Sequence, residues 1–206
     1  MKNICIFGGS VTWGGNDAEK GGWVNRLRLW VDSQEKHEIE VYNLGVTGDT
    51  TEKLLIRFEV EAQARNPALI IFSVGINDSA YDSETDTNRV PLPKFIENME
   101  TLIRKAYMIC NNVVIIGLSR VEESKTNPIP WKKNLYFKIP DILVYDNELR
   151  KIALKNDMLF LDVASLLGRE DLDDGLHPNS VGHKKLFQVV KDFLISKQLL
   201  TFDNNL

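Results

Sequence analysis

Apolar and polar positions along this chain switch repeatedly between a strand period and a helix period. The apolar run from Ile4 to Phe7 halts at Gly8-Gly9-Ser10, which predicts a buried strand ending in a tight turn. Trp23, Leu27, Trp30 and Val31 recur at helical spacing and predict an amphipathic helix over about 22–34. Residues 38–44 alternate through Ile39 and Val41 as a second strand, which runs into the turn Asn43-Leu44-Gly45-Val46-Thr47-Gly48-Asp49-Thr50. Leu54, Leu55, Phe58 and Ala62 form the apolar face of a helix over about 51–64. Residues 68–74 are apolar enough for a strand covered on both faces, as in parallel sheets, and they stop at Gly75-Ile76-Asn77-Asp78.

The second half continues the pattern. Residues 79–91 are polar and aperiodic and read as a loop; Pro91 and Pro93 suit the first turn of a helix reaching about Cys110. Residues 113–118 predict a fourth strand, 119–140 a long irregular loop with three prolines, and 141–155 a helix. A strand at 158–162 and a helix over about 180–197 close the chain. Regular β-α alternation implies a parallel sheet with helices on both faces, hence an α/β fold: a single doubly wound, three-layer α/β/α domain over 1–206.

With 206 residues, the chain is long enough to bury a full core without staples. A net charge of -4 argues against general nucleic-acid binding, and no apolar run reaches membrane-spanning length. Cys5 and Cys110 lie far apart in apolar surroundings, as small core residues do in a reducing compartment, so the expected location is cytoplasmic.

The chemistry-bearing residues cluster where strands end, on one edge of a parallel sheet. Ser10 offers a hydroxyl on a glycine turn, His177 a base, and Asp174, three residues earlier, a carboxylate within reach of Nδ1. The main-chain amides of Ser10 and Gly48 and the side-chain amide of Asn77 are the candidate oxyanion donors. Asp173 is the rival acid. His183 is read as structural, His37 as a solvated residue of a charged turn, Asp78 as a local hydrogen-bonding group, and Asp49-Thr50 as a helix N-cap. No His, Cys or carboxylate cluster has metal-ligand spacing, and no phosphate cradle is present, so no metal or cofactor is expected.

These blocks, FGGSVTWG, NLGVTGDT, VGIND and DGLHP, resemble in order the motifs of the SGNH hydrolases, the GDSL esterase/lipase family. The resemblance implies a flavodoxin-like sheet of about five strands in the order 2-1-3-4-5. It also implies an esterase with Ser10, Asp174 and His177 as triad and Gly48 and Asn77 completing the oxyanion hole. Its substrates would be short acyl esters, lysophospholipids or acetylated sugars. An acyltransferase with the same triad and a non-catalytic binding module are the alternatives. The family's Gly-Asp-Ser is Gly8-Gly9-Ser10 here, and two adjacent glycines make a freer turn.

Substrate selectivity is sought in 119–140, where Arg120, Lys125, Lys132, Lys133 and Lys138 outnumber Glu122 and Glu123 around Trp131, Tyr136 and Phe137. Trp131, Lys132, Lys133 and Tyr136 are the expected pocket residues, with the lysines favouring anionic esters. Aromatics covering the core or a second subunit are the competing reading, which leaves a homo-oligomer open.

Overall fold

The computed structural model describes residues 2–34 and 39–202. The predicted residues His37 and Glu38 lie outside the described residues. In chain order the elements are β1 (Lys2–Gly8), α1 (Ser10–Trp13), α2 (Trp23–Asp32), β2 (Ile39–Gly45), α3 (Thr51–Gln63), β3 (Leu69–Ser73), β4 (Tyr81–Asp82) and β5 (Thr87–Asn88). They continue as α4 (Leu92–Tyr107), β6 (Val113–Ile116), α5 (Glu123–Thr126), β7 (Leu135–Tyr136), α6 (Ile139–Lys155), β8 (Leu159–Leu161), a 3-10 turn (Arg169–Asp171) and α7 (Ser180–Ser196).

The five long-range strands form one parallel sheet in the order β2-β1-β3-β6-β8, which is the 2-1-3-4-5 order expected. Alternation along each strand divides its side chains between two layers. Cys5, Phe7, Ile70, Phe72, Val113 and Ile115 meet Leu54, Phe58, Phe95, Met99, Leu102 and Leu149 from α3, α4 and α6. Ile4, Ile6, Ile71, Val114 and Ile116 meet Trp23, Val24, Leu27, Leu186, Val190 and Leu194 from α2 and α7. The sheet is apolar on both faces because helices cover both, the condition that parallel strands require. Cys5 and Cys110 are buried free thiols, and burial pushes the Cys5 thiol up to about 12.

Two expected loops contain structure. Residues 79–91 hold β4 and β5, and 119–140 hold α5, β7 and the first turn of α6. The strands pair antiparallel as a second sheet in the order β5-β4-β7. Two-residue strands are too short for alternation to register in the sequence, and Tyr81 meets Tyr136 across more than fifty residues of chain. The fourth helix ends at Tyr107, short of Cys110.

The N-cap of α3 also differs from expectation. Thr50 occupies the capping position, but its side chain makes no capping bond. The Thr51 amide instead donates to Asp78 Oδ1 at 2.9 Å, and the Thr51 hydroxyl donates to the same oxygen while accepting from Asn98 Nδ2. Asp78 is thus a hydrogen-bonding residue, as read, but a long-range one. Its burial pushes the carboxyl up to about 6, against the pull of the Thr51 bonds. The Asp49 carboxylate pairs with Arg57, 2.7 Å from Nη2.

Candidate active site

The β1 carboxyl end turns at Gly8 and Gly9 into α1, whose first residue is Ser10. As a helix's first residue, Ser10 carries a main-chain N–H without an intrahelical acceptor. The turn does not call for a positive φ at position 9, where φ is -93° and ψ is -150°. Space is what matters there: a Cβ on Gly9 would lie 2.9 Å from Asn77 Nδ2. At Gly8 it would lie 2.3 Å from the Ser73 carbonyl oxygen, so β1 and β3 approach through that glycine.

His177 lies on an irregular segment between the 3-10 turn and α7, held by Asp174 and Pro178. Asp174 Oδ1 accepts the main-chain N–H of Leu176 at 2.9 Å and of His177 at 2.8 Å. Its Oδ2 lies 2.7 Å from His177 Nδ1 and accepts a further bond from Asn16 Nδ2 at 3.1 Å. Burial pushes the Asp174 carboxyl up, but the His177 ring and the two amides outweigh it and hold the group down at about 2. An ionised Asp174 takes the Nδ1 proton as a hydrogen-bond acceptor, which leaves Nε2 free to accept. Ser10 Oγ lies 2.8 Å from that Nε2. A hydroxyl, an imidazole and a carboxylate in series are what acyl transfer to serine uses. Asp173 is exposed, and its contact with His177 runs through the main chain, its N–H donating to the His177 carbonyl at 2.9 Å.

Ser10, Gly48, Asn77 and His177 border one cavity of about 230 Å³. Gly48 has φ +78°, which glycine adopts without strain, and a Cβ there would meet nothing within 4 Å, so its main chain faces open space. Asn77 Nδ2 donates one hydrogen to the Asp49 carbonyl at 2.9 Å. The second hydrogen of that amide is available to a substrate oxygen.

Of the four expected pocket residues, Trp131 and Lys132 line this cavity; Lys133 and Tyr136 do not. Strand alternation explains Tyr136: Leu135 and Phe137 point inward and are buried, so Tyr136 turns out to pack on Tyr81 at 5.9 Å between ring centres. Trp131 stacks on the His177 ring at 5.9 Å with an interplanar angle of 30°, and remains 55% exposed.

Several supporting residues escape sequence reasoning. Asp17 is buried and accepts from Arg26 Nε and Nη2 at 3.0 Å each, from Ser180 Oγ at 2.7 Å and from the Gly22 amide at 2.9 Å. His183 is structural, as read. Its Nε2–H donates to the Gly15 carbonyl at 2.9 Å and its Nδ1 accepts from the Trp23 amide at 3.2 Å. Both tie the loop after α1 to α2 and α7. Asn16-Asp17 after Gly14-Gly15 is a turn signal in the sequence, but nothing local points to Arg26 or Ser180 as partners. Among the described residues, no group of three or more His, Cys, Asp or Glu side chains is arranged to hold a metal ion, and no helix is long and apolar enough to cross a membrane.

Residues 6–185 match the model of the GDSL-like Lipase/Acylhydrolase family. The chain belongs to that family. It is therefore a carboxylic ester hydrolase by class. A lipase/acylhydrolase of Enterococcus faecalis superimposes with a TM-score of 0.79 over 96% of this chain and 97% of that one, at 22% identity, and shares the fold. The isoamyl acetate-hydrolyzing esterase of Saccharomyces cerevisiae is 24% identical over 217 residues, covering 93% of this chain and 87% of that protein. An uncharacterized lipoprotein of Bacillus subtilis, YqeF, is 30% identical over 110 residues; the match spans 51% of this chain and only 43% of that protein.

Proposed function

We propose that the chain hydrolyses small carboxylic esters through an acyl-enzyme on Ser10. The reading is carried by the unbroken series Ser10 Oγ, His177 and Asp174, with spacings of 2.8 and 2.7 Å, at the rim of a cavity that Gly48 and Asn77 also border. His177 Nε2 takes the Ser10 proton as Oγ bonds to the ester carbonyl carbon, and Asp174 stabilises the resulting imidazolium. The carbonyl oxygen, now an anion, is received by the amides of Ser10 and Gly48 and by Asn77. Collapse breaks the ester C–O bond, and the departing alcohol takes the proton from Nε2. Water then enters, gives its proton to the same nitrogen and attacks the acyl carbon. A second collapse frees the acid and returns the proton to Ser10.

A cavity of about 230 Å³ is smaller than the roughly 300–1,000 Å³ of sites for drug-sized ligands, which favours short acyl esters over lysophospholipids. The curated yeast relative, named for hydrolysing isoamyl acetate, fits the same size class. Two buried free thiols suit the cytoplasmic placement.

The test is labelling of the protein by a fluorophosphonate, with the adduct mapped by peptide mass. The label should sit on Ser10, and Ser10→Ala should lose both labelling and several orders of magnitude of ester turnover while keeping its melting temperature. Turnover within tenfold of wild type in that variant would refute the nucleophile.

A further inference from the structure

The charge lining the cavity is one-sided. Lys53, Arg89 and Lys132 border it, and no Asp or Glu does, in a chain whose net charge is -4. Among the described residues none of the three has a carboxylate oxygen within 4.0 Å, whereas eleven other lysines and arginines are ion-paired. Arg89 is held in place: its amide donates to the Ala80 carbonyl at 2.8 Å and its Nη2 to the Gly48 carbonyl at 3.2 Å. One guanidinium hydrogen thus anchors the side chain beside an oxyanion candidate, and the others have no protein acceptor among the described residues. Asp82 feels the charges of Lys132 and Arg89, and buried Asp78 that of Arg89, but neither carboxylate comes within 4.0 Å of them, and Asp82 Oδ1 is taken by Asn134 Nδ2 at 2.7 Å and the Glu84 amide at 3.0 Å. Trp131, Phe137 and Leu176 supply an apolar wall to the same cavity.

We propose that this cavity selects esters carrying an anionic group, a carboxylate or a phosphate, with Arg89 as its principal anchor and Lys53 and Lys132 completing the positive wall. The inference rests on the serine-esterase reading above. Only one of the three cations lies in the 119–140 segment; Arg89 and Lys53 come from segments joined to the site by the fold. A guanidinium offers paired donors that match either anion, and in a partly enclosed cavity its attraction is screened less than on an open surface. The apolar lining accepts the remainder of a small ester.

Three aryl acetates with related leaving groups test the idea: para-acetoxybenzoate, para-acetoxyphenyl phosphate and the neutral methyl para-acetoxybenzoate. A second pair, phenyl hydrogen adipate and phenyl hexanoate, places the charge on the acyl side. In the wild type, kcat/KM for the anionic member of at least one pair should exceed that for its neutral partner, and the ratio should shrink as salt is raised. Arg89→Gln should lower that ratio about tenfold or more, and Lys53→Gln or Lys132→Gln by a smaller factor. Arg89→Lys should recover part of it. The benzoate and phosphate arms report which anion the wall prefers. Fluorophosphonate labelling of Ser10 runs alongside every variant. Wild-type labelling with ratios at or below one, or with ratios untouched by Arg89→Gln, overturns the anionic pocket and leaves the serine esterase standing. Absence of wild-type labelling overturns both.

Discussion

Removing the Asp17 carboxylate tests how the fold brings Ser10 and His177 together. The Asp17 side chain is fully buried and Arg26's is 10% exposed, so Asp17→Ala strands a guanidinium whose remaining carboxylate, Glu19 at 3.2 Å, lies largely in solvent. Removing one member of a buried ion pair costs about 3–5 kcal/mol, mainly through the charge left behind. For a chain of this size, each kcal/mol moves Tm by about 2–4 °C, so a fall of about 6–20 °C is expected. Activity should fall as well. Asp17 bonds Ser180 Oγ, three residues past His177, and its loop carries Gly15, where a Cβ would sit 3.4 Å from the His177 ring. Loosening this joint should lower kcat by about ten- to a hundredfold at a temperature where the variant is still folded, because a displacement near 1 Å has that effect. Circular dichroism melts and steady-state kinetics on a short aryl ester are the assays. In Asp17→Ala/Arg26→Met the unpaired charge is gone, so more than half of the lost stability should return while kcat stays low. A single variant melting within about 3 °C of wild type, or a double variant no more stable than the single, would refute the reasoning.

Two further outcomes are expected. Burial holds His183 below the ordinary histidine value, against the opposing bond to Gly15, so the folded chain carries it neutral while the unfolded chain takes a proton below about pH 6.5; its contribution to stability is present above that pH and is lost as pH falls. Asp78, held up at about 6, works in the opposite direction between about pH 6 and 4, so the diagnostic is the difference between proteins: Tm should fall less from pH 7 to 5 in His183→Gln than in wild type, and an equal fall in both would contradict the assignment. Trp131→Ala should lower kcat two- to fivefold, because a stacked indole stabilises an imidazolium by about 0.5–1 kcal/mol at an exposed site; Trp131→Phe should recover much of the loss, and unchanged kcat in the alanine variant would remove the stack from the mechanism.

The β-α alternation and the Ser10, Asp174 and His177 constellation were legible because their determinants are local, whereas the sheet order followed from the family resemblance. Apolar runs end at glycine turns, and Asp174-x-x-His177 closes on itself through two main-chain bonds within three residues. Parallel topology then gathers the turns on one edge without any pairwise signal being needed. The residues that join those turns are a different case. Asp17 with Arg26 and Ser180, Asp78 with Thr51, and β4 with β7 are long-range pairings, and an aspartate that caps a helix 27 positions away looks in sequence like any turn residue. Asp49-Thr50 therefore reads in sequence as the cap, although it is Asp78 that accepts the Thr51 amide.

Gly9 shows the same boundary from the other side. In sequence it reads as the loss of the family's aspartate and as freedom for the turn. Its φ of -93° is not in the left-handed region, so positive φ is not what glycine contributes there. A Cβ at that position would press on Asn77 Nδ2, the amide that also holds the Asp49 carbonyl and borders the cavity beside Gly48. Arg89 fastens that same turn through the neighbouring Gly48 carbonyl. The donor set of the cavity is thus packed between a glycine that leaves room for Asn77 and an arginine that steadies Gly48. Arg89 both steadies Gly48 and borders the cavity, so one side chain would link the proposed oxyanion turn to the proposed anionic preference.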